Sequence, residues 1–138
     1  MRFPGRSRPA RVYVDAKILN MHDPGLPRET YVGYLVEGRG MREVKRVEAS
    51  ESDDAEVLAI TFAIEELKDP LGRFTVVCDH ESVVSEATKD NVKNPSELLK
   101  RLRRLLEENP SVKLEVLQSN PAHQVVTEYV NALKAGAQ

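Results

Sequence analysis

The hydrophobic pattern of this chain changes its period near Asp53, and this change restricts the folds open to it more than any other feature. Before that point, three short segments are rich in the β-branched and aromatic residues typical of strands, at 12–19, 30–36 and 41–48. From Asp53 to Lys68 the apolar residues recur at three- and four-residue intervals, which is the period of an amphipathic helix. This order predicts an α/β fold.

The rest of the chain alternates between strands and helices. A strand, two helices, a strand and a helix are predicted in turn, at 74–79, 81–88, 95–109, 112–117 and 121–134. Pro70 is expected to end the first long helix, and Ser50, Ser52 or Asp53 to cap its start. Short connections predict an antiparallel meander for the first three strands, and the later helices imply parallel crossovers. We therefore expect a mixed five-stranded sheet, three antiparallel strands and then parallel ones, flanked by helices.

Length and composition indicate one globular domain, which we place at 11–138. The chain has 138 residues, with 41% hydrophobic and 30% charged residues, which are ordinary values for a folded protein. Its first eleven residues contain two prolines and four arginines. Residues 1–10 are therefore predicted to be a flexible basic arm, and an arm that binds nucleic acid is the alternative.

Charge, cysteine content and hydropathy exclude several classes of protein. Twenty basic and 22 acidic residues leave a net charge of -2, which excludes a histone-like polycation. The single cysteine, Cys78, can form neither an internal disulfide nor a cysteine-rich zinc site, and we expect it to be buried in a strand. No apolar run approaches the roughly 18 residues of a membrane span, and the basic start lacks the apolar segment of a secretory signal. We expect a cytoplasmic protein with no membrane association.

Three acidic residues stand where a carboxylate is costly. Asp15 interrupts the apolar first strand, Glu56 lies near the start of the long helix, and Asp79 ends the apolar fourth strand. Strand ends and helix starts are where sites collect in an open sheet. Carboxylates gathered there would repel one another unless a divalent cation, above all Mg²⁺, joined them.

Each of these acids also has an ordinary structural explanation. Asp15 could be a surface residue of an edge strand, and Glu56 could be a charge favoured by the helix dipole. Asp79 could be the N-cap of the following helix. Their joint placement, one on each of three successive elements, is what favours a site.

Four passages surround these acids and the start of the last helix. They are Val14-Asp15, 52–59, 76–84 and 120–126. Together they resemble the ribonuclease H family in its small, type 1-like form, and the resemblance extends over roughly residues 11 to 135. The combination of an Ala-Glu-x-x-Ala helix start and a strand that ends in aspartate is moderately specific for that family.

The resemblance implies a site and an activity. Asp15, Glu56 and Asp79 match the metal-binding, catalytic carboxylates of the family, and His123 stands where the family usually has its last aspartate. The implied activity is hydrolysis of the RNA strand of RNA–DNA hybrids with two divalent ions, Mg²⁺ or Mn²⁺, bridged by Asp15 and Asp79. A neutral imidazole can bind such an ion and suits Mn²⁺ better than Mg²⁺. His123 is therefore expected to be the fourth ligand, and a decayed site is the alternative.

Other positions depart from the family's pattern. Ala16 replaces a glycine, His80 replaces a common serine, and the histidine-containing loop before the last helix is shortened to 117–120. The family's basic segment between its middle helices is missing. Four cations of the penultimate predicted helix are candidates to replace it in nucleic-acid binding, and a solvated helix face is their alternative interpretation: Lys100, Arg101, Arg103 and Arg104.

Three hypotheses of function follow. The first is a metal-dependent endonuclease acting on an RNA–DNA hybrid or another nucleic acid. The second is a catalytically degenerate domain of the same fold that binds nucleic acid or a protein partner. The third is an α/β regulatory or scaffold domain with incidental acids, which predicts that Asp15, Glu56 and Asp79 lie far apart. Convergence of their carboxyl groups within about 10 Å at one edge of the sheet would contradict the third hypothesis.

Overall fold

The computed structural model of the chain describes residues 9–49, 51–118 and 120–136. Within these residues it has five strands and four helices. Their bounds are β1 Ala10–Leu19, β2 Glu29–Val36, β3 Arg42–Val47, α1 Ser52–Leu71, β4 Phe74–Cys78, α2 Glu81–Thr88, α3 Glu97–Glu108, β5 Val112–Val116 and α4 Ala122–Gly136. Of the predicted basic arm at 1–10, residues 1–8 lie outside the described part, and Ala10 already belongs to β1.

The five strands form one mixed sheet in the order β3-β2-β1-β4-β5. β1 and β2 are antiparallel, as are β2 and β3, whereas β4 is parallel to both β1 and β5. This topology confirms the predicted meander followed by parallel crossovers, and it places β1 in the centre of the sheet. Among the described residues, no helix combines the length and apolar character needed to cross a lipid bilayer.

Side chains of β1 alternate between the two faces of the sheet, as expected for an extended strand. Val12 and Val14 belong to the main core, which also contains apolar residues of α1 and α3. Tyr13 faces the opposite way and packs with Val77 and with Ala122 of α4. The sheet therefore separates α1 from α4, and Asp15, two residues after Tyr13, lies on the α4 side.

The end of α1 differs from the prediction. Pro70 does not end the helix, which continues to Leu71 and is followed by Gly72 with φ of 69°. Proline has no N–H to bond to the preceding turn, but only Leu71 follows Pro70 in the helix, so no later turn is displaced by it. The N–H of Gly72 donates to the carbonyl of Lys68 and closes that turn.

The start of α1 also differs from the prediction. The N-cap residue is Glu51, and its side chain makes no capping hydrogen bond among the described residues. Ser52 and Asp53 are already the first two residues of the helix and so cannot be its N-cap, and their side chains contact His80. Ser50, the remaining candidate, lies outside the described residues.

Gly33 of β2 determines how closely α4 can approach the sheet. A Cβ atom at this position would lie 2.8 Å from Cγ2 of Val126 in α4, and 3.0 Å from both the carbonyl oxygen of Glu43 and Cγ2 of Val44. These separations are shorter than van der Waals contact, so only glycine fits. Because Gly33 pairs with Asp15 across β1 and β2, the close approach of α4 occurs directly beside that carboxylate.

Gly33→Ala is therefore expected to lower the free energy of unfolding by about 2 kcal/mol, since α4 or the backbone of β3 must shift. Thermal unfolding followed by circular dichroism measures this change. Gly25→Ala is the matched control, because a Cβ there would meet only Asp23 Oδ1, at an ordinary 3.5 Å. Equal stability of the Gly33→Ala and Gly25→Ala proteins would contradict the close packing of α4 on the sheet.

Candidate metal centre

Asp15 and Asp79 reach the same level of the sheet because β1 and β4 are parallel neighbours. The register pairs Tyr13 with Val77, so two further residues along each chain lead to Asp15 and Asp79. Asp15 still belongs to β1, whereas Asp79 is the first residue after β4. The parallel pairing therefore brings together two acids that are far apart in the sequence.

Glu56 joins these two acids from one turn inside α1. One ligand atom from each of the three carboxylates lies within 4.8 Å of the other two. Asp15 and Glu56 are only 6% and 4% exposed, and Asp79 is partly exposed. The hypothesis of incidental acids, which predicts that they lie far apart, is contradicted by this distance.

The ordinary explanations for these acids are also inconsistent with the structure. Asp15 is not on an edge strand, because β1 is the central strand of the sheet. Glu56 is not one of the acids in the first turn of α1, which are Asp53 and Asp54, and it is buried. Asp79 is not the N-cap of α2, since His80 occupies that position.

The electrostatics of the cluster favour a bound cation. Glu56 Oε1 is buried and has no hydrogen-bond partner among the described residues. Burial, followed by the charges of Asp15 and Asp79, raises the pKa of Glu56 to about 8. Burial also raises the pKa of Asp15, against the opposing effect of its hydrogen bonds with His123 and the backbone of Ala16. A buried carboxylate oxygen without a partner, beside two other carboxylates, fits a divalent metal with oxygen ligands.

His123, in the first turn of α4, contacts one member of the cluster. Its Nδ1 atom lies 3.0 Å from Oδ2 of Asp15, while 69% of the histidine side chain is exposed. Within the described part of the chain, the set of ligand atoms that converge within 4.8 Å contains Asp15, Glu56 and Asp79 but not His123. The structure thus brings His123 to Asp15 without placing it in the cluster itself.

Comparisons with known proteins identify the fold. No protein-family model and no curated protein matches the sequence. Among solved structures, ribonuclease H1 of the halophilic archaeon Halobacterium salinarum NRC-1 superimposes with a TM-score of 0.60 at 19% identity, over 84% of this chain and 89% of that one. A protease-reverse transcriptase of prototype foamy virus superimposes with a TM-score of 0.64 at 16% identity, over 86% of this chain and 18% of the viral chain. The fold is ribonuclease H-like.

The ribonuclease H-like fold confirms the fold class predicted from the sequence. At 16% and 19% identity, the likeness to both structures is one of fold alone. This chain spans 18% of the length of the viral protein, so the likeness there concerns a small part of a larger molecule.

The four cations of α3 are engaged largely within this ribonuclease H-like fold. Arg103 donates hydrogen bonds to three backbone carbonyls at the C-terminal end of α2. Arg101 forms an ion pair with a glutamate of α1, and Lys100 forms one with a glutamate of its own helix. Arg104 is exposed and makes no hydrogen bond or ion pair with the residues that the structure describes. These internal contacts reduce the positive charge that α3 can offer to nucleic acid.

A histidine that the spacing of residues in the sequence does not point to lies beside the carboxylates. The imidazole of His80 lies between Ser52 and Asp53, with Nε2 at 3.4 Å from Ser52 Oγ and Nδ1 at 3.5 Å from Asp53 Oδ1. Ser52 and His80 line the same cavity of about 280 Å³ as the three carboxylates. In the sequence, His80 is marked by directly following Asp79 and by replacing a serine common in the resembled family. Its contact with Ser52, which lies 28 residues away, has no signal in the sequence.

Proposed function

We propose that this chain is a metal-dependent endonuclease that hydrolyses the RNA strand of RNA–DNA hybrids. One observation carries the proposal: three carboxylates from separate elements converge within 4.8 Å, and one of their buried oxygens has no partner among the described residues. The ribonuclease H-like fold supports the proposal. The passages around these acids, which resemble those of the ribonuclease H family, also support it.

In this proposal, Asp15, Glu56 and Asp79 hold two divalent ions, Mg²⁺ or Mn²⁺, with His123 as a further ligand. When bound, such ions supply activation of water and stabilisation of charge on the leaving 3′ oxygen. The chain itself keeps the carboxylates fixed, since β1 and β4 hold two of them at one level. The third carboxylate extends from α1, and hydrogen bonds from Ala16 and His123 favour the ionised form of Asp15.

Recognition of RNA in this proposal depends on its 2′-hydroxyl groups, which line the shallow minor groove of a hybrid duplex. Ser52 and His80 line the cavity beside the carboxylates and provide a hydroxyl and an imidazole that can form hydrogen bonds with a substrate. Phosphate contacts make the binding salt-dependent. We expect the affinity to be weak, because Lys100, Arg101 and Arg103 already have partners within the fold.

The proposed function is tested by incubating the protein with a short labelled RNA–DNA hybrid while Mn²⁺ or Mg²⁺ is titrated. Double-stranded RNA and double-stranded DNA of the same sequence are the comparison substrates. We expect saturable, metal-dependent cleavage of the RNA strand of the hybrid, and none in EDTA. The absence of metal-dependent cleavage of the hybrid would contradict the proposed function.

A catalytically degenerate domain that binds nucleic acid or a protein partner is the second candidate function. It is favoured by the position of His123, which stands where the ribonuclease H family usually has its last aspartate and, among the described residues, lies outside the converging set of ligand atoms. Hybrid binding in a mobility-shift assay, together with no cleavage at any metal concentration, would support this candidate over the endonuclease.

His123→Asp is expected to shift the metal preference of cleavage from Mn²⁺ towards Mg²⁺. The imidazole offers one nitrogen and no negative charge, whereas a carboxylate restores the charge and the oxygen ligands that Mg²⁺ prefers. His123→Ala is expected to weaken metal binding by roughly tenfold or more. Cleavage rates measured against the concentration of each metal decide the role of His123. If the His123→Ala protein matches the wild type in both metals, the histidine is not a ligand.

A further inference from the structure

Asn120, in the connection between β5 and α4, joins two parts of the chain through its side-chain amide. Its Nδ2 atom donates a hydrogen bond to the backbone carbonyl of Val14 in β1. Its Oδ1 atom accepts a hydrogen bond of 2.9 Å from the backbone N–H of Ala122, the first residue of α4. The amide of Asn120 therefore links the start of α4 directly to the central strand.

Strand β4 lies between β5, which precedes Asn120 in the chain, and β1, which the amide of Asn120 contacts. The parallel registers place Val14, Cys78 and Val116 at one level of β1, β4 and β5. The N–H of Leu117 still donates to the carbonyl of Cys78 and so extends the pairing of β5 with β4. Asn120 follows Leu117 by only three positions, yet its side chain contacts β1. Strands β5 and β1 are about 10 Å apart, which is two strand spacings. The amide of Asn120 therefore attaches the start of α4 to β1, beside the packing of Ala122 on Tyr13.

The two partners of Asn120 are the immediate neighbours of a second contact. Val14 directly precedes Asp15, and Ala122 directly precedes His123. The side chains of Asp15 and His123 meet with 3.0 Å between Oδ2 and Nδ1. In addition, the backbone N–H of His123 donates to the carbonyl of Asn120 at 3.2 Å. Loss of the Asn120 contacts is therefore expected to move one side of the His123–Asp15 hydrogen bond relative to the other.

We propose that Asn120 is a positioning residue that holds His123 in hydrogen-bonding contact with Asp15. The effect of Asn120 on cleavage rests on the proposed function. Its effect on the His123–Asp15 contact does not, because that effect is measured in the metal-free protein. A residue with a merely structural role would change the stability of the fold and leave the contact between the two side chains as it is.

The first test uses nuclear magnetic resonance of the metal-free protein, with the Nδ1 resonance of His123 as the readout. In Asn120→Ala, which removes both side-chain bonds, this resonance is expected to move towards its position in Asp15→Ala, where the partner carboxylate is absent. Asn120→Asp retains an acceptor for the N–H of Ala122 but loses the donor to Val14, so it carries the same test if Asn120→Ala does not fold. An Nδ1 resonance that stays at the wild-type position would overturn the proposal.

Asn109→Ala is the matched control for this test. Asn109 also donates from Nδ2 to a backbone carbonyl, that of Leu105 at the end of α3, at 2.9 Å. Its loss is expected to lower the melting temperature and to leave the resonance of His123 unchanged. An equal movement of the His123 resonance in both variants would mean that it follows general stability, which would also overturn the proposal.

The second test measures cleavage of the hybrid. Asn120→Ala is expected to lower kcat by roughly 10- to 100-fold with little change in KM, as is typical for the loss of a group that orients a metal ligand. The loss is expected to disappear in a His123→Ala background, because Asn120 acts through His123, and an equal loss in both backgrounds would overturn the proposal. Since the resonance measurement needs neither metal nor substrate, a wild-type protein without cleavage contradicts the proposed function and not the positioning role.

Discussion

Asp15→Asn and Asp79→Asn are each expected to reduce cleavage of an RNA–DNA hybrid by more than roughly a thousandfold. Each substitution removes one carboxylate charge from the proposed metal centre while it keeps the size of the side chain. The same substitutions are expected to leave the melting temperature of the metal-free protein unchanged or higher, because they relieve repulsion among carboxylates within 4.8 Å of one another. Cleavage assays and thermal unfolding, with and without Mn²⁺, measure both effects.

Asp54→Asn is the control for these two variants. Asp54 lies in the first turn of α1, two residues before Glu56, but it does not belong to the converging cluster. We expect this variant to cleave the hybrid at the wild-type rate. Wild-type cleavage by either the Asp15→Asn or the Asp79→Asn protein would mean that these acids are not the metal ligands.

Glu56→Gln is expected to stabilise the metal-free protein. The pKa of Glu56 is raised from 4.5 to about 8 in the fold, so the folded state holds a proton that the unfolded state releases above about pH 4.5. Stability is therefore lost as the pH rises from about 4.5 to about 8. At pH 7 the substitution is expected to raise the free energy of unfolding by about 3 kcal/mol. This corresponds to an increase of roughly 10 °C in the melting temperature.

Thermal unfolding in EDTA over this pH interval checks the prediction. The difference between the Glu56→Gln and wild-type proteins is expected to be small near the acid end and largest near pH 8. Glu66→Gln, an exposed position of the same helix, is expected to show no such trend. Identical pH dependence of wild type and Glu56→Gln would show that burial and the neighbouring carboxylates do not raise the pKa of Glu56.

Much of the fold can be predicted from the sequence because its elements have strong local signals. The change from strand to helical periodicity near Asp53 is visible in any short window, and the predicted helix at 81–88 coincides with α2. The ends of α1 were less predictable, because local signals compete there with tertiary contacts. Pro70 could remain in the helix since only one helical residue follows it. Ser52 and Asp53 lie inside the helix, and their side chains contact His80.

From the sequence, the acids of the candidate site can be predicted better than the contacts of the cations on α3. An acid that interrupts an apolar segment is conspicuous in a sequence, so Asp15 and Asp79 could be selected before their distance was known. The partners of the α3 cations could not be predicted in this way. Arg101, for example, pairs with Glu65, which lies 36 residues away on another helix. Two of the four cations, Arg101 and Arg103, therefore contact neighbouring helices in a way that the sequence does not show.

Anomalous diffraction from crystals soaked in Mn²⁺ shows whether Asp15, Glu56 and Asp79 form a metal centre, because it locates the ion without reference to any substrate. We predict Mn²⁺ between these three side chains, with carboxylate oxygens within about 2.5 Å of the ion. Crystals that contain ordered Mn²⁺ elsewhere, or none, with the three carboxylates free of metal, would mean that these acids do not form a metal centre.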